Sequence, residues 1–442
     1  MFRTLSAPVV LQWEVTPDCN HACLHCYNYW RGFGEEPSAS EDVCEIYRAA
    51  TKEIICNRVF SVVITGGEPL LVFDQVKPHI RQLVQAGVHV SLNTNLSLFN
   101  RQIAVELKEL GVRSILTSLP SFDPETNDYI TQTPGSHRRI TRGIRTALES
   151  GFKVAVNMVV TKVNLSQVYQ TAEYVANLGV KSFAATKAAT PNNCPDFSAF
   201  ALGLDEFRWM LYELIKAKER LGLESIDSLE FYPYCAFDEV TRAVFSSRMC
   251  SAGKTNCTIG FNGQVRPCSR AEHTYGDIRE GLTNAWGRMT PWRTNEWLPE
   301  QCSTCQLKNK CGGGCKVDAQ RTTGDIKQPD PICDFSQLPV RLPSVREPSP
   351  DGTEFLVNPS MVFRPESFGG ILYVSSGHWA IVVQELYQLF ASGKEVVSIE
   401  DIVSALGCSL NEATATVSYL VRKFILKVAK GGSYASGNCF VA

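Results

Sequence analysis

Three cysteines, Cys19, Cys23 and Cys26, stand within eight positions in the stretch TPDCNHACLHCYNYW. Thiolates at this spacing are metal ligands, yet a tetrahedral zinc or a four-iron cube held by protein alone takes four. Either a further cysteine arrives from elsewhere, or one coordination position is kept for a small molecule. A second run lies far downstream: Cys250, twelve residues, Gly263, four residues, then Cys268. After it, CSTCQLKNKCGGGC sets Cys302, Cys305, Cys311 and Cys315 at CxxCx5Cx3C spacing, with Cys333 beyond. Two zinc ribbons are the plainest structural account of that second run. The chain has seventeen cysteines, and MFRTLSAPVVLQW at its start has one arginine and no signal core. Cytosolic thiols stay reduced, so clustering of this kind favours metal or iron–sulfur ligation over disulfides and predicts a cytoplasmic protein.

The elements that must hold these residues alternate. Apolar runs suited to buried parallel strands fall at residues 9–15, 59–65, 88–92, 113–118, 153–160 and 180–185. Amphipathic helical patterns lie between them. One, over 40–57, puts Val43, Ile46, Tyr47, Ala50 and Ile54 on one face and starts at a capping-box spacing, Ser38 to Glu41. Others span 74–86, 101–110 and 138–150, closed by Gly87, Gly111 and Gly151. Six such units predict an α/β fold, a partial (β/α)6 TIM-type barrel with helices outside the parallel strands. The first cysteine group follows the first strand, at the end where barrels of this kind build their sites.

A length of 442 residues exceeds one ordinary core. The periodicity breaks after residue 187, and ATPNNCPDFSAF is a Pro/Asn-rich connection before a helix around 204–221. Residues 241–342 are rich in Cys, Gly and turn residues, and PSVREPSPDGTE has the composition of a linker. The predicted domains are therefore 1–240, 241–342 and 345–442. The last opens with strand-like TEFLVNPSMVF and GGILYVS and continues with helical patterns near 378–391, 398–406 and 410–426, a small α+β module. With 44% hydrophobic and 20% charged residues the chain reads as globular, and a net charge of −2 offers no footprint for nucleic acid or a membrane surface. No apolar run reaches transmembrane length.

With the CxxxCxxC loop after the first strand and TGGEP (65–69) after the second, the chain resembles the radical S-adenosylmethionine (SAM) superfamily. The resemblance implies a [4Fe–4S] cluster on Cys19, Cys23 and Cys26, with the amino and carboxylate groups of SAM filling the open iron. It implies that Gly66, Gly67, Glu68 and Pro69 contact the methionine amino group, and that Asn93, Thr94, Ser118 and Asn157 lie where the family binds ribose and carboxylate. Each of those polar residues taken alone is as readily structural. The chain departs from the pattern at His25, where an aromatic ring usually precedes the third cysteine, and at Leu96, where Gly is common. The implied chemistry is one-electron cleavage of SAM to a 5′-deoxyadenosyl radical, fed by an external donor such as flavodoxin or ferredoxin.

The second run is similar to the SPASM extension of radical SAM peptide maturases. That implies two auxiliary [4Fe–4S] clusters, three clusters in all: a nearer one on Cys250, Cys268 and Cys315, with Cys257 where some members have a fourth ligand, and an outer one on Cys302, Cys305, Cys311 and Cys333. Ser269 stands where sulfatase-maturing relatives carry a proposed Asp base, so no catalytic base is assigned. FLVNPSMVFRPESFGGILYVSS resembles a PqqD-like recognition element, a winged-helix-type domain that would hold a precursor-peptide leader by strand addition; a generic winged helix or dimerisation module is the alternative. Cys44, Cys56, Cys194, Cys235, Cys408 and Cys439 match no ligand position. Cys44 and Cys56 read as small apolar fillers, and Cys235 as a buried structural thiol, with an approach to the site near a late barrel element as the alternative. Arg138, Arg139, Arg142 and Arg145 read as a solvated helix face, with a contact to the SAM carboxylate as the unassigned alternative. The functional expectation is a radical SAM/SPASM maturase that cross-links a ribosomally made precursor peptide. Backbone excision or epimerisation by the same radical, and a non-catalytic metal-binding adaptor, are the alternatives.

Overall fold

The first apolar run forms β1 (Val10–Glu14), buried along its length as a central parallel strand is. In the computed structural model, which describes residues 4–28, 30, 43–191, 197–340, 342, 353–374 and 377–429, the chain divides near residue 343 into two compact units. In the first unit β1 is followed by α1 (Val43–Cys56), β2 (Ser61–Thr65), α2 (Phe73–Gln85), β3 (His89–Asn93), α3 (Arg101–Glu109) and β4 (Ser114–Ser118). Then come α4 (Pro124–Thr131), α5 (Ser136–Glu149), β5 (Lys153–Val160), α6 (Val168–Asn177), β6 (Ser182–Lys187), α7 (Leu204–Arg220) and β7 (Ser225–Asp227). Strands β1 to β7 pair in parallel in chain order. The seventh goes beyond the six expected, because its three residues, SID, are too short to show periodicity.

Trp13 of β1 meets Tyr47 of α1 and His79 of α2 edge-on, so this side of the sheet is covered by helices. Alternation then turns Glu14 to the other face. Helix α1 buries Ile46, Tyr47, Ala50, Thr51 and Ile54 as its pattern predicts. Cys44 and Cys56 are exposed on it, which corrects their reading as apolar fillers. The capping-box pair Ser38 and Glu41 lies outside the described residues.

The cysteine-rich region supplies α8 (Glu239–Phe245), β8 (Asn256–Ile259), β9 (Val265–Arg266), α9 (Leu282–Arg288), α10 (Lys308–Cys311) and α11 (Lys316–Thr323). It does not stand apart from the barrel. Strand β8 pairs in parallel with β1 and β9 antiparallel with β8, giving one nine-stranded sheet, β7-β6-β5-β4-β3-β2-β1-β8-β9. Arg266 on β9 forms a fully buried ion pair with Glu14 on β1. Its other branch, Nη1, donates to the carbonyls of Ser269 (2.9 Å) and Ala271 (2.8 Å).

The second unit runs β10 (Glu354–Val357), β11 (Val362–Glu366), β12 (Gly369–Tyr373), β13 (Trp379–Val383), α12 (Gln384–Ala391), β14 (Val396–Ser398), α13 (Ile399–Leu406), α14 (Leu410–Arg422) and β15 (Leu426–Val428). Two antiparallel sheets, β14-β10-β15 and β11-β12-β13, enclose a core that includes Phe355, Leu372, Phe390, Ile402, Val417 and Leu420. Reciprocal capping boxes, Ser398 with Asp401 and Ser409 with Glu412, start α13 and α14. The stretch near 378–391 begins as strand β13, since WAIVV alternates partly buried and buried positions at period two. Among the described residues no helix is long and apolar enough to cross a membrane.

Candidate functional site

Cys19, Cys23 and Cys26, all half-buried, lie on the loop that leaves the carboxyl end of β1. The loop is tied down from three sides. The N–H groups of Ala22 and Leu24 donate to the carbonyls of Thr131 (3.1 Å) and Ile130 (2.9 Å) at the end of α4. Asn20 donates to Ser97 Oγ (2.8 Å) and accepts from Asn95 Nδ2 (2.8 Å) after β3. Asn28 donates to the Gly66 carbonyl (3.1 Å) after β2. Helix α4 was not anticipated, although Asp123 as N-cap and Pro124 at the first helical position are a start signal.

The Gly-Gly turn after β2 presses directly on the cysteine loop. Gly67 N–H donates to Thr16 O (2.8 Å) and Glu68 N–H to Asp18 O (2.7 Å). A Cβ on Gly66 would stand 2.5 Å from Thr16 O, and one on Gly67 1.9 Å from Asp18 O, so only glycine permits this approach. Pro69 opens the 3₁₀ turn Pro69–Val72 that follows. Glu68 is wholly buried and its carboxylate is spent internally: it accepts from Leu70 N–H (3.0 Å), Thr94 Oγ1 (2.6 Å) and Asn95 N–H (2.8 Å). Burial pushes this carboxyl up to about 7. Glu68 and Thr94 thus lock the ends of β2 and β3 together.

Sheet register aligns the other polar residues. Asn93 pairs with Leu116, and Ser118 with Asn157, which in turn pairs with Ala184. With Leu116 and Ser118 two residues apart, all these positions share the face that Glu14 occupies, opposite the helices. Asn157 is buried and its Oδ1 accepts from Thr186 Oγ1 (2.9 Å). The carboxyl ends of β1, β3, β4 and β5 therefore carry a row of polar groups beside the cysteine loop. His25, between two of the cysteines, is buried; burial lowers its imidazole to about 4, so it is neutral, and its Nδ1 has no hydrogen-bond partner.

Leu96 adopts φ +57°, the left-handed region, which is the physical reason glycine is common there. Its carbonyl lies where a Cβ on Gly143 of α5 would sit, 2.1 Å away. Of the basic run on α5, Arg138, Arg142 and Arg145 are exposed, while Arg139 is half-buried and its charge reaches His21 of the cysteine loop.

The second cysteine run folds into two groups. Cys250, Cys268 and Cys315 are half-buried; the charge of Cys250 reaches both of the others, and the Arg270 guanidinium lies beside Cys268 and Cys315. Burial dominates and pushes both of these thiols up. Cys257 is not brought to them. It sits on β8 level with Leu11 of β1, on the helix-covered face, and the cation acting on it is Arg293. Its spacing suits a ligand, but alternation along β8 aims the side chain elsewhere.

Cys302, Cys305, Cys311 and Cys333 line one small cavity. Cys235, from the 3₁₀ turn Tyr234–Ala236, is buried as read and lines this cavity too. Nothing in its spacing could have shown this, because only folding brings residue 235 to residue 333. Lys316 feels the charges of Cys302, Cys311 and Cys333 and also that of Cys250. Among the described residues no three His, Cys, Asp or Glu groups converge tightly enough to hold a single metal ion. Zinc gathers its sulfurs to about 2.3 Å of one centre. Sets made up of cysteine thiols alone are the donor chemistry that iron–sulfur clusters take. Cys194 and Cys439 lie outside the described residues.

A buried ionic lattice joins this region to the barrel. Arg270 pairs with Glu230, just after β7, and with Asp318 of α11. Asp318 also faces Lys187 Nζ at the end of β6 (3.6 Å). Arg321 donates to the carbonyls of Thr190 (2.9 Å), Arg270 (2.9 Å) and Tyr27 (3.5 Å), the residue after Cys26. Ser269 is buried and acts electrostatically on the Tyr27 phenol.

The family model of the radical SAM superfamily matches residues 13–175, the stretch that carries the cysteine loop, the Gly-Gly turn and the polar row. The chain is a radical SAM enzyme. S-adenosylmethionine and an iron–sulfur cluster belong to that chemistry. An AdoMet-dependent heme synthase of Methanosarcina barkeri is 26% identical over 358 residues, 75% of this chain and 98% of that protein. The mycofactocin maturase MftC of Mycobacterium tuberculosis is 27% identical over 347 residues, 75% of this chain and 84% of that one. Among solved structures, SuiB of Streptococcus suis bound to S-adenosylmethionine shares the fold with a TM-score of 0.58 at 20% identity, covering 75% of this radical SAM enzyme and 78% of SuiB.

Proposed function

We propose that this radical SAM enzyme modifies a ribosomally synthesised precursor peptide and that its product carries an intrapeptide cross-link. The observation that carries the reading is the cysteine-rich region, woven into the barrel sheet through β8 and carrying two groups of thiols. We read it as a SPASM domain with two auxiliary [4Fe–4S] clusters, which with the Cys19, Cys23 and Cys26 site makes three. Relatives named as peptide maturases, and SuiB, which has been seen bound to its precursor peptide SuiA, support a peptide substrate.

When bound, the cluster and SAM supply a 5′-deoxyadenosyl radical, which takes a hydrogen atom from an unactivated carbon. In this reading Cys19, Cys23 and Cys26 hold three irons. The Gly66–Gly67 backbone and the Asn93, Ser118 and Asn157 row orient SAM, and the Glu68–Thr94 bond keeps those strand ends from moving apart. The peptide would lose two hydrogens as its new bond closes, one as the hydrogen atom taken by the radical and one as a proton, the remaining electron being accepted by an auxiliary cluster. Reducing equivalents enter from a flavodoxin- or ferredoxin-type donor in the cytoplasm.

The second unit has the make-up of a leader-binding element: a three-stranded sheet whose outer strand β11 can accept an added strand, backed by α12 to α14. We assign it the PqqD-like role. Deleting residues 345–442 should abolish binding of a candidate precursor peptide, chosen from any short reading frame found beside the gene; unchanged affinity would place recognition elsewhere. For catalysis, anaerobic reconstitution with dithionite, SAM and that peptide should yield 5′-deoxyadenosine and a product lighter by two hydrogens. An unchanged mass would favour epimerisation, and a larger loss excision. Absence of 5′-deoxyadenosine would remove the reading altogether. Relatives named heme synthase favour a second reading, a tetrapyrrole carboxylate as substrate, which the same assay with a porphyrin in place of peptide separates.

A further inference from the structure

The outer cavity contains one thiol more than a four-iron cube uses. Cys235, Cys302, Cys305, Cys311 and Cys333 all line it, and Cys235 is the member that no spacing motif includes. It is 7% exposed. Cys235 and Cys333 act on each other electrostatically, each altering the other's hold on its proton.

The two thiols are held together from outside the cavity. Arg208, on α7, donates through Nε to the carbonyl of Ala236 (2.8 Å) and through Nη2 to the carboxylate of Asp334 (2.8 Å). One guanidinium therefore grips the residue after Cys235 and the residue after Cys333. Cys333 has a second engagement: its Sγ lies 3.9 Å from the Gly313 carbonyl, an acceptor that suits a protonated thiol. The charge of Cys235 is felt at Cys302 and Cys311, so it faces the same centre as the motif cysteines.

We propose that Cys235 is a ligand-competent thiol of the outer cluster site and shares one iron with Cys333. This rests on reading the outer group as a [4Fe–4S] site. With Cys333 bound, Cys235 keeps its proton and donates it as a hydrogen bond to the Cys333 sulfur. In the exchange the Cys333 sulfur–iron bond breaks, a Cys235 sulfur–iron bond forms, and the proton passes from Cys235 to Cys333, where Gly313 O accepts it. No electron is gained or lost. The site thus has two states that differ by one proton's position.

The test uses the full-length enzyme, reconstituted anaerobically, with iron and sulfide counted and the three-iron EPR signal after mild oxidation measured as an increase over wild type. Cys333→Ala should keep the wild-type iron content and show no added three-iron signal, because Cys235 takes the place. Cys235→Ala with Cys333→Ala should lose one cluster's iron or gain that signal. If Cys333→Ala alone matches the double variant, or the double variant matches wild type, the proposal is overturned. Cys235→Ala alone should shift the outer cluster's reduction potential to a lower value by removing an S–H donor; an unmoved potential also overturns it. Cys305→Ala with Cys311→Ala is the control for the underlying reading. If those two changes leave the iron content intact, the outer group binds no cluster, and the failure lies there.

Discussion

The carboxylate of Glu68, at the end of β2, accepts a 2.6 Å hydrogen bond from the hydroxyl of Thr94, at the end of β3. It accepts from the Leu70 and Asn95 main chain as well, so one buried side chain fixes the loops that bracket the cysteine site. Glu68→Ala strands all three donors and should cost about 3 kcal/mol or more, measured by urea unfolding.

The same residue gives a pH dependence. Its folded-state pKa, raised to about 7, exceeds the ordinary carboxylate value, so the folded protein binds this proton more tightly than the unfolded chain. Its contribution is therefore full at low pH and is lost as pH rises toward 7. Stability should fall by on the order of 2–3 kcal/mol between about pH 5 and neutrality. Glu68→Gln should flatten that slope; an equally steep slope in the variant would assign the effect to another group.

Gly143→Ala would drive a Cβ to 2.1 Å from the Leu96 carbonyl, a backbone atom that cannot swing aside. We expect a loss of about 1–3 kcal/mol, typical of overpacking. SAM affinity by calorimetry should weaken too, because the displaced segment includes Asn95 and Ser97, which hold Asn20 on the cysteine loop. Wild-type affinity in a destabilised variant would separate the segment from the cofactor.

Much of the barrel was legible from residues because its strands are continuous apolar runs and its helices end at glycines. Strand β7 and helix α4 were not: the one is too short for a pattern, and the other announces itself only by Asp123 and Pro124. The cysteine loop and the Gly-Gly turn were readable because their chemistry depends on local spacing. The bracing role of Glu68 was not readable for the opposite reason, since its partners Thr94 and Asn95 lie at the end of another strand. The Cys235 thiol and the Arg270–Asp318 pair share this long-range character, which no local pattern carries.

Cys257 and Cys250 should part company in an iron assay. Cys257→Ala, on the helix-covered face of β8, should leave iron content at the wild-type value. Cys250→Ala should lower it by one cluster. Equal losses would show that the strand rotates on loading to present Cys257 as a ligand.

Asp318 is 3% exposed and answers two cations, Arg270 and Lys187. Asp318→Asn takes the ion-pair partner from buried Lys187 and leaves Arg270 with Glu230 alone, and should cost about 3–5 kcal/mol in thermal or urea unfolding. A loss under about 1 kcal/mol would mean that Glu230 suffices for Arg270.

Strand β8 gives β1 its second neighbour. A chain cut before residue 250 would leave the main-chain amides and carbonyls along that flank of β1 open to any passing strand, a template for intermolecular stacking. Solubility of the catalytic barrel is therefore a property of the cysteine-rich segment. Attempts to express the amino-terminal portion alone should end in aggregates however well its own helices form.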